Sequence, residues 1–108
     1  GKANVPEKSK ELLNKVASVA KQLESQEIVV EGHTDSVGSA EINSKISQER
    51  ADSVVGYLED EGISNSILQS VGLGFEKPLG SNKTKTGRAQ NRRVDIWITP
   101  APSTQVTE

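Results

Sequence analysis

The 108-residue sequence predicts a single α/β domain, in which a small mixed sheet carries helices on one face. Three observations lead to this fold class. An amphipathic segment near the N-terminus has apolar residues three and four positions apart. Short segments rich in β-branched residues follow later. Helical and extended segments also alternate along the chain, which is long enough for one domain with a modest core.

The first predicted element is an amphipathic helix within residues 6–25, "PEKSKELLNKVASVAKQLES". Pro6 suits the first turn of a helix, where its missing N–H is not needed. Lysines and glutamates occupy one face, and apolar residues recur on the other. The residues predicted to face the core are Leu12, Leu13, Val16, Val19, Ala20 and Leu23.

The middle of the chain predicts a strand, a loop and a long helix. "QEIVVEG" is short and β-branched, so we expect a strand from Glu27 to Glu31. "HTDSVGSAE" is the loop after it. The helix is expected from Ala40 to Glu61, and Gly62 ends it. "SNSILQ" is expected to add a further helical turn.

The last third predicts two more strands around a short helix. "QSVGLGF" is expected to form a strand weakened by its glycines, and "EKPLGSNKT" is typical of turns. "KTGRAQNR" predicts the short helix, and "RRVDIWIT" predicts the final strand. Alternation along this strand points Val94, Ile96 and Ile98 to the core, and Asp95 and Trp97 away. We therefore place the domain at residues 1–99 and a polar tail at residues 100–108.

Composition argues against several classes of protein. Thirteen basic and fifteen acidic residues give a net charge of -2, and only three residues are aromatic, which disfavours nucleic-acid and anionic-membrane surfaces. No apolar run approaches the roughly 20 residues of a membrane span. The absence of cysteine removes thiol catalysis and disulfides. Because the chain starts at Gly1, we expect a fragment of a longer protein.

The most informative stretch is "EGHTDSVGSAEINSKISQER", residues 31–50. It places Asp35 in a Gly-containing loop and Arg50 on the long helix. Asn43 and Arg50 are seven residues apart, so they share a helix face within about 20°. That face borders the apolar stripe. A half-buried guanidinium requires an anion, and its planar fork fits a carboxylate.

Two interpretations of this pair follow from the residues. Arg92 has the parity of Val94 and points inward if the last strand extends that far. A carboxylate and one or two arginines on a loop-rich rim could then bind the ammonium and carboxylate of one zwitterionic ligand. The alternative is an internal salt bridge between Asp35 and Arg50 that only fixes the loop to the helix. From spacing alone, the salt bridge is slightly favoured.

Other motifs do not support enzyme chemistry. His33 and Asp35 form half of a metal site, but the sequence has no second histidine and no cysteine, so we expect a structural histidine. No G-x-S-x-G motif accompanies a possible Ser-His-Asp set. "GLG" lacks the rest of a dinucleotide fingerprint. The arginines of "GRAQNRR" could form a phosphate patch but fit a solvated or ligand-facing cluster better. The sequence thus predicts no enzyme, no metal and no cofactor.

The motifs "EGHTDSVGS…N…IS..RADSV..YL…GI" and "VGLG…P…NKT..GRAQNRRVDI" resemble the OmpA-like C-terminal domain. This module is shared by outer-membrane proteins of the OmpA type, peptidoglycan-associated lipoproteins and the periplasmic part of flagellar stators. The similarity runs from about Val5 to Ile98. It implies a β-α-β-α-β sandwich in the periplasm that binds peptidoglycan non-covalently, through the diaminopimelate of the stem peptide, and anchors the outer membrane or an envelope complex to the cell wall.

The resemblance also implies roles for individual residues. Asp35, in "GHTD", is the implied partner of the diaminopimelate ammonium, and Arg50, in "S..RA", is the implied partner of its carboxylate. The other implied site residues are Asn43, Arg92, Thr34, Val37 and Gly38.

The sequence departs from the family at its start and leaves other functions open. "GKANVPEKS" enters the helix at once, so we expect the first strand of the family to be missing or trimmed, with Asn4 as a candidate replacement for a polar group of the lost turn. The alternative function is an adaptor that docks a periplasmic protein through the same rim, and a wall-processing enzyme is a third. Contact with a membrane is expected only through a missing N-terminal anchor or barrel.

Overall fold

The structure is a computed structural model and describes residues 5–102. Within them, the elements in chain order are α1 (Glu7–Gln22), β1 (Glu27–Gly32), α2 (Ala40–Asp60), a 3-10 turn (Asn65–Ile67), β2 (Leu68–Gly72), α3 (Lys85–Asn91) and β3 (Val94–Thr99). The strand order is β2-β1-β3, with β1 parallel to β2 and antiparallel to β3. The predicted α/β fold with a small mixed sheet is confirmed.

The core lies between the sheet and the two longer helices. Ile28 and Val30 on the central strand β1 are fully buried. Helix α2 packs across β1 and β2, and α1 packs beside α2. The remaining buried apolar residues are Leu13, Ala17, Ala20, Ala51, Val54, Leu58, Ile63 and Leu68.

Two glycines let α2 rest directly on the sheet. Gly32 and Gly72 are neighbours in the parallel register of β1 and β2. A Cβ atom at Gly32 would overlap the backbone carbonyl of Ser47, and one at Gly72 would lie 2.5 Å from the backbone nitrogen of Gln48. The close approach brings the middle of α2 to the end of β1, where the loop that carries Asp35 begins.

The ends of α2 have the expected chemistry. Ser39 caps its N-terminus, because its Oγ accepts a hydrogen bond from the Ile42 N–H at 3.1 Å. Gly62 follows the last turn with a positive φ of 97°, a conformation that glycine adopts without strain. The predicted helix from Ala40 is confirmed, and its end differs by one residue.

The last strand has the predicted alternation. Val94, Ile96 and Ile98 are partly buried and pack against the core, whereas Trp97 is 61% exposed on the other side. Their burial is incomplete because β3 lies at the edge of the three-stranded sheet.

The predicted core face of α1 was wrong at three positions. Leu12, Val19 and Leu23 are exposed, and Ala17 is buried instead. Leu13, Ala17 and Ala20 are spaced by four and three residues, so the buried stripe is a narrow line along α1. Periodicity alone predicted a wider stripe than this helix buries.

Two strand boundaries also differ from the prediction. Strand β2 starts at Leu68 and ends at Gly72, so residues 73–75 follow the strand instead of belonging to it. Strand β3 starts at Val94, and Arg92 is the C-cap of α3, where its N–H donates to the Arg88 carbonyl. The inference of an inward Arg92 from strand parity was therefore wrong.

In the described range, no strand precedes α1, which begins at Glu7. None of the helices in that range is both long and apolar enough to cross a bilayer. Asn4 and most of the tail predicted at residues 100–108 lie outside the described residues.

Candidate functional site

The predicted site residues meet around the loop of residues 33–38, which connects β1 to α2. Thr34, Asp35 and Asn43 are buried, with exposures of 5%, 9% and 3%. Arg50 is half-buried on α2, and the Arg92 side chain is 47% exposed. The loop thus presents a buried carboxylate together with two arginines, one from α2 and one from the C-cap of α3.

Asp35 is held as a carboxylate by two donors. Its Oδ1 accepts the Val37 N–H at 3.0 Å, and its Oδ2 accepts Arg92 Nη1 at 2.7 Å. The Val37 N–H, and then Arg92, hold the pKa of Asp35 below its ordinary value. Asp35 is therefore ionised at neutral pH, and the Val37 N–H of its own loop fixes the orientation of the carboxylate.

Arg50 has no carboxylate partner within residues 5–102. Its Nη1 donates to the backbone carbonyl of His33 at the end of β1. Burial, and then the neighbouring Arg92, lower the pKa of Arg50, but a guanidinium stays protonated in proteins. The internal salt bridge between Asp35 and Arg50 is therefore not formed, because Asp35 pairs with Arg92 instead.

Helix α2 fixes the loop through Asn43. Its Nδ2 donates to the Val37 carbonyl at 2.9 Å. Gly38 follows with a φ of 91°, which lets the chain turn into the N-terminus of α2. The Val37 side chain is 66% exposed. The backbone of this turn is thus held in place while its outer surface stays open.

A second set of contacts joins α2 to the loop through Gly74, which follows β2. Ser47 Oγ accepts the Gly74 N–H at 2.8 Å, and the Gly74 carbonyl accepts the Thr34 N–H at 2.8 Å. Thr34 Oγ1 is buried and has no hydrogen-bond partner in the part of the chain that the structure describes. Thr34 is thus a buried residue next to Asp35, fixed through its backbone to the turn after β2.

Sequence reasoning missed Asn91, which organises the neighbouring loop. Asn91 is fully buried; its Oδ1 accepts the N–H groups of Leu79 and Gly80, and its Nδ2 donates to Asn82 Oδ1 at 2.8 Å. Asn82 Oδ1 in turn accepts the Ser36 N–H at 3.2 Å. Asn91 thereby connects the loop of residues 79–82 to the loop that carries Asp35.

A sequence signal for Asn91 existed. Asn91 follows Gly87 by four residues, so both lie on one face of α3, and both are buried. A Cβ atom at Gly87 would overlap the backbone of Ser81, which indicates how closely this face approaches the loop. A polar residue one turn after a helical glycine was the available sign of a buried amide.

Arg50 and Arg92 both line a groove of about 760 Å³ between α1, α2 and β3. This volume lies within the range of small-molecule and peptide sites. Most of its lining residues are apolar, and three arginines, Arg50, Arg92 and Arg93, lie among them. The other lining residues are Val5, Pro6, Ser9, Leu12, Leu13, Val16, Ile46, Glu49, Ser53, Val54, Val94 and Ile96.

The chain belongs to the OmpA family, whose sequence model matches residues 1–92. Among its relatives, "Outer membrane protein A" of Bordetella avium is 40% identical over 97 residues, which cover 90% of this chain and 50% of that protein. The "Peptidoglycan-binding protein ArfA" of Mycobacterium tuberculosis is 42% identical over 88 residues, which cover 82% of this chain and 27% of that protein.

Solved structures have the same fold. The chain superposes on the peptidoglycan-associated lipoprotein from Burkholderia pseudomallei with a TM-score of 0.82 at 32% identity, covering 88% of this chain and 80% of that one. The chain spans half or less of the length of the two relatives compared by sequence. The resemblance deduced from the motifs is therefore confirmed for the family and the fold.

Proposed function

We propose that this domain binds peptidoglycan non-covalently through the diaminopimelate residue of the stem peptide, and anchors an envelope protein to the cell wall in the periplasm. One observation carries the proposal. Arg50 is a half-buried cation without a carboxylate partner in residues 5–102, and the ionised Asp35 belongs to the same loop site, where it pairs with Arg92. A ligand that supplies both a carboxylate and an ammonium would complete this arrangement.

Diaminopimelate carries an ammonium and a carboxylate on the same terminal carbon of its side chain. The carboxylate matches the guanidinium fork of Arg50 in two parallel hydrogen bonds. The ammonium matches Asp35. Charge-assisted contacts of this kind contribute about 1.5–3 kcal/mol each, which suggests micromolar to millimolar affinity for one stem peptide. A polymeric wall presents many copies, so an array of such domains binds more tightly through avidity.

Arg92 has to share Asp35 with the ligand in this proposal. The Arg92 side chain is 47% exposed, whereas the Asp35 side chain is only 12% exposed, so its carboxylate cannot be left without a cation. Arg92 can turn from Asp35 Oδ2 towards the ligand carboxylate because the ligand ammonium takes its place at Asp35. Asp35 meanwhile keeps its bond from the Val37 N–H, which holds the carboxylate in place.

Relatives support the coarser part of the proposal. One relative is named for peptidoglycan binding, and a structural neighbour for association with peptidoglycan. A zwitterionic ligand fits the charges of Arg50 and Asp35, and the choice of diaminopimelate as that ligand follows from the resemblance to the OmpA-like domain. We further propose that the domain binds without turnover, which predicts that purified peptidoglycan releases no soluble fragments when incubated with it.

The test is a titration of the chain with a stem peptide that contains diaminopimelate and with its lysine analogue, followed by amide chemical shifts. We expect the first peptide to shift the signals of Asp35, Asn43, Arg50 and Arg92. The lysine peptide lacks the second carboxylate, which leaves Arg50 without its anion, so we expect at least about tenfold weaker binding. Equal binding of both peptides would contradict the proposal.

A matched pair of variants separates this site from general electrostatics. Arg50→Gln removes the half-buried cation of α2 from the groove, and Lys45→Gln removes an exposed cation from the same helix. We expect Arg50→Gln to abolish detectable peptide binding while the spectrum stays that of a folded domain, and Lys45→Gln to bind normally. Peptide binding by Arg50→Gln would assign Arg50 a structural role only.

The groove favours one second candidate, an adaptor for a periplasmic protein. Leu12 and Ile46 line it, and both side chains are substantially exposed. Apolar exposure of this kind is frequent at protein interfaces. A protein partner that soluble stem peptide displaces would use the same rim, and a partner that stem peptide does not displace would use another surface.

A further inference from the structure

The face of the sheet away from the helices carries a cluster that the proposed function does not use. Glu31 on β1 and Asp95 on β3 are partners in the antiparallel register, and His33 follows Glu31 by two residues on the same side. His33 is only 1% exposed. Both of its ring nitrogens lack a hydrogen-bond partner in the described residues, although buried imidazoles normally have one.

The distances in this cluster are compatible with a metal coordination shell. His33 Nε2 lies 3.3 Å from Asp95 Oδ2 and 3.7 Å from Glu31 Oε1. Metal–ligand bonds of about 2.0–2.2 Å in tetrahedral geometry separate neighbouring ligand atoms by roughly 3.3–3.6 Å. One ligand atom from each residue lies within 4.8 Å of the other two. We propose that Glu31, His33 and Asp95 form a site for a divalent transition-metal ion.

The donor set and its surroundings suit such an ion. Imidazole nitrogen with carboxylate oxygen is a ligand combination that zinc and its neighbours accept, and water would complete the shell. Burial lowers the pKa of His33, which favours the neutral imidazole that metals require. The orphaned imidazole, which is buried and directed at two carboxylates, is the observation that separates this cluster from ordinary surface acids.

Neighbouring side chains orient the two carboxylates. Trp97 Nε1 donates to Glu31 Oε1 at 2.9 Å. Arg93 Nε donates to Asp95 Oδ1 at 3.1 Å and to Oδ2 at 3.3 Å, and Arg93 Nη2 donates to Oδ2 at 3.2 Å. Arg93 Nη2 also donates to the Lys77 carbonyl, which fixes the guanidinium. Contacts of this kind orient metal ligands. Arg93 can keep Asp95 Oδ1 while Oδ2 binds the ion.

Arg93 also limits the affinity of the site. Two carboxylates, one guanidinium and a neutral imidazole sum to a single negative charge, which a divalent ion over-compensates. We therefore expect a dissociation constant in the micromolar range rather than the much tighter binding of a structural zinc site.

The chain offers an unambiguous probe, because His33 is its only histidine. The experiment is a titration of the full chain with Zn²⁺ near neutral pH, followed by the ¹⁵N shifts of the imidazole. We expect the Nε2 signal to move and saturate while Nδ1 changes little, and Mg²⁺ to have no such effect. An Nε2 signal that does not respond to Zn²⁺ up to about 1 mM would overturn the site.

Three variants complete the test. Asp95→Asn and Glu31→Gln each remove one ligand charge, and we expect each to weaken Zn²⁺ binding at least about tenfold. Glu27→Gln makes the same change on the same face of β1, at a residue whose carboxylate accepts from Gln69 instead, and we expect no effect. Unchanged affinity in both ligand variants would overturn the proposal, as would an imidazole signal that responds only to protons.

Discussion

The two halves of α2 bury different chemistry on the face that packs against the sheet. Residues 40–50 bury Asn43 and Ser47, whereas residues 51–60 bury Ala51, Val54 and Leu58. One continuous helix therefore changes from a polar to an apolar buried face near its middle. The change occurs where Gly32 meets the backbone of Ser47.

The difference indicates a division of labour along the helix. The apolar half packs on β1 and β2 and supplies burial, which is the main favourable contribution to folding. Each buried polar side chain of the other half has a partner in a loop of the site: Asn43 bonds to the Val37 carbonyl, and Ser47 accepts the Gly74 N–H. The first half of α2 therefore fixes the shape of the site, and the second half fixes the fold.

The largest expected effect is from Leu58→Ala, in the apolar half. Leu58 is fully buried, so its truncation leaves a cavity and lowers the free energy of unfolding by about 2–5 kcal/mol. Urea denaturation measures the change. Stem-peptide affinity, measured where the variant is still folded, should stay within about twofold of the original.

A matched control lies on the same helix. Ile42 is 57% exposed, and we expect Ile42→Ala to change the free energy of unfolding by less than about 0.5 kcal/mol. A large loss of peptide affinity in folded Leu58→Ala would contradict the separation of the two halves.

An intermediate effect is expected from Ser47→Ala, in the polar half. The substitution leaves the buried Gly74 N–H without its acceptor, which lowers the free energy of unfolding by about 1–3 kcal/mol. Ser53→Ala removes a comparable hydroxyl from the other half, where Oγ only donates to the Glu49 carbonyl of its own helix. We expect Ser53→Ala to change the free energy of unfolding by less than about 0.5 kcal/mol. Equal losses in the two variants would mean that the buried contact with Gly74 stabilises the fold no more than the exposed one.

The sequence was sufficient for the apolar half and for part of the polar half. A period of 3.6 residues identifies Ala51, Val54 and Leu58, because each lies on the stripe that burial requires. The same geometry places Asn43 and Arg50 at the border of that stripe, and both are buried or half-buried there. Local periodicity determines these positions, so no tertiary information was needed.

The pairing of charges could not be predicted in the same way. Asp35 bonds to Arg92, which is 57 positions away and lies at the C-cap of α3, two residues before β3 begins. If β3 had begun two residues earlier, at Arg92, the alternation of the strand would have directed the Arg92 side chain to the core face. Helix and strand ends depend on capping and tertiary contacts, which local patterns indicate only to within a few residues.

The cluster around His33 could not be predicted from the sequence either, because strand pairing assembles it. Glu31 and Asp95 become neighbours only through the antiparallel register of β1 and β3. The sequence motif H-x-D directed attention to His33 and Asp35 instead, and Asp35 faces Arg92. A search for ligand pairs within one segment therefore misses a group that two strands assemble.

Among the substitutions of buried α2 residues, Asn43→Ala is expected to change stability least while it weakens peptide binding. Its Nδ2 holds the Val37 carbonyl, and that carbonyl can be hydrated when the bond is lost because the turn is exposed. We expect a loss of about 1 kcal/mol in the free energy of unfolding. The Val37 N–H then holds Asp35 less firmly, so stem-peptide affinity should fall about tenfold, as expected for a displaced binding group. Asn65→Ala removes an exposed amide bonded to Glu59 and is the control for both measurements. If Asn43→Ala loses stability but binds the peptide as before, the polar half of α2 serves the fold alone, and the division between the two halves disappears.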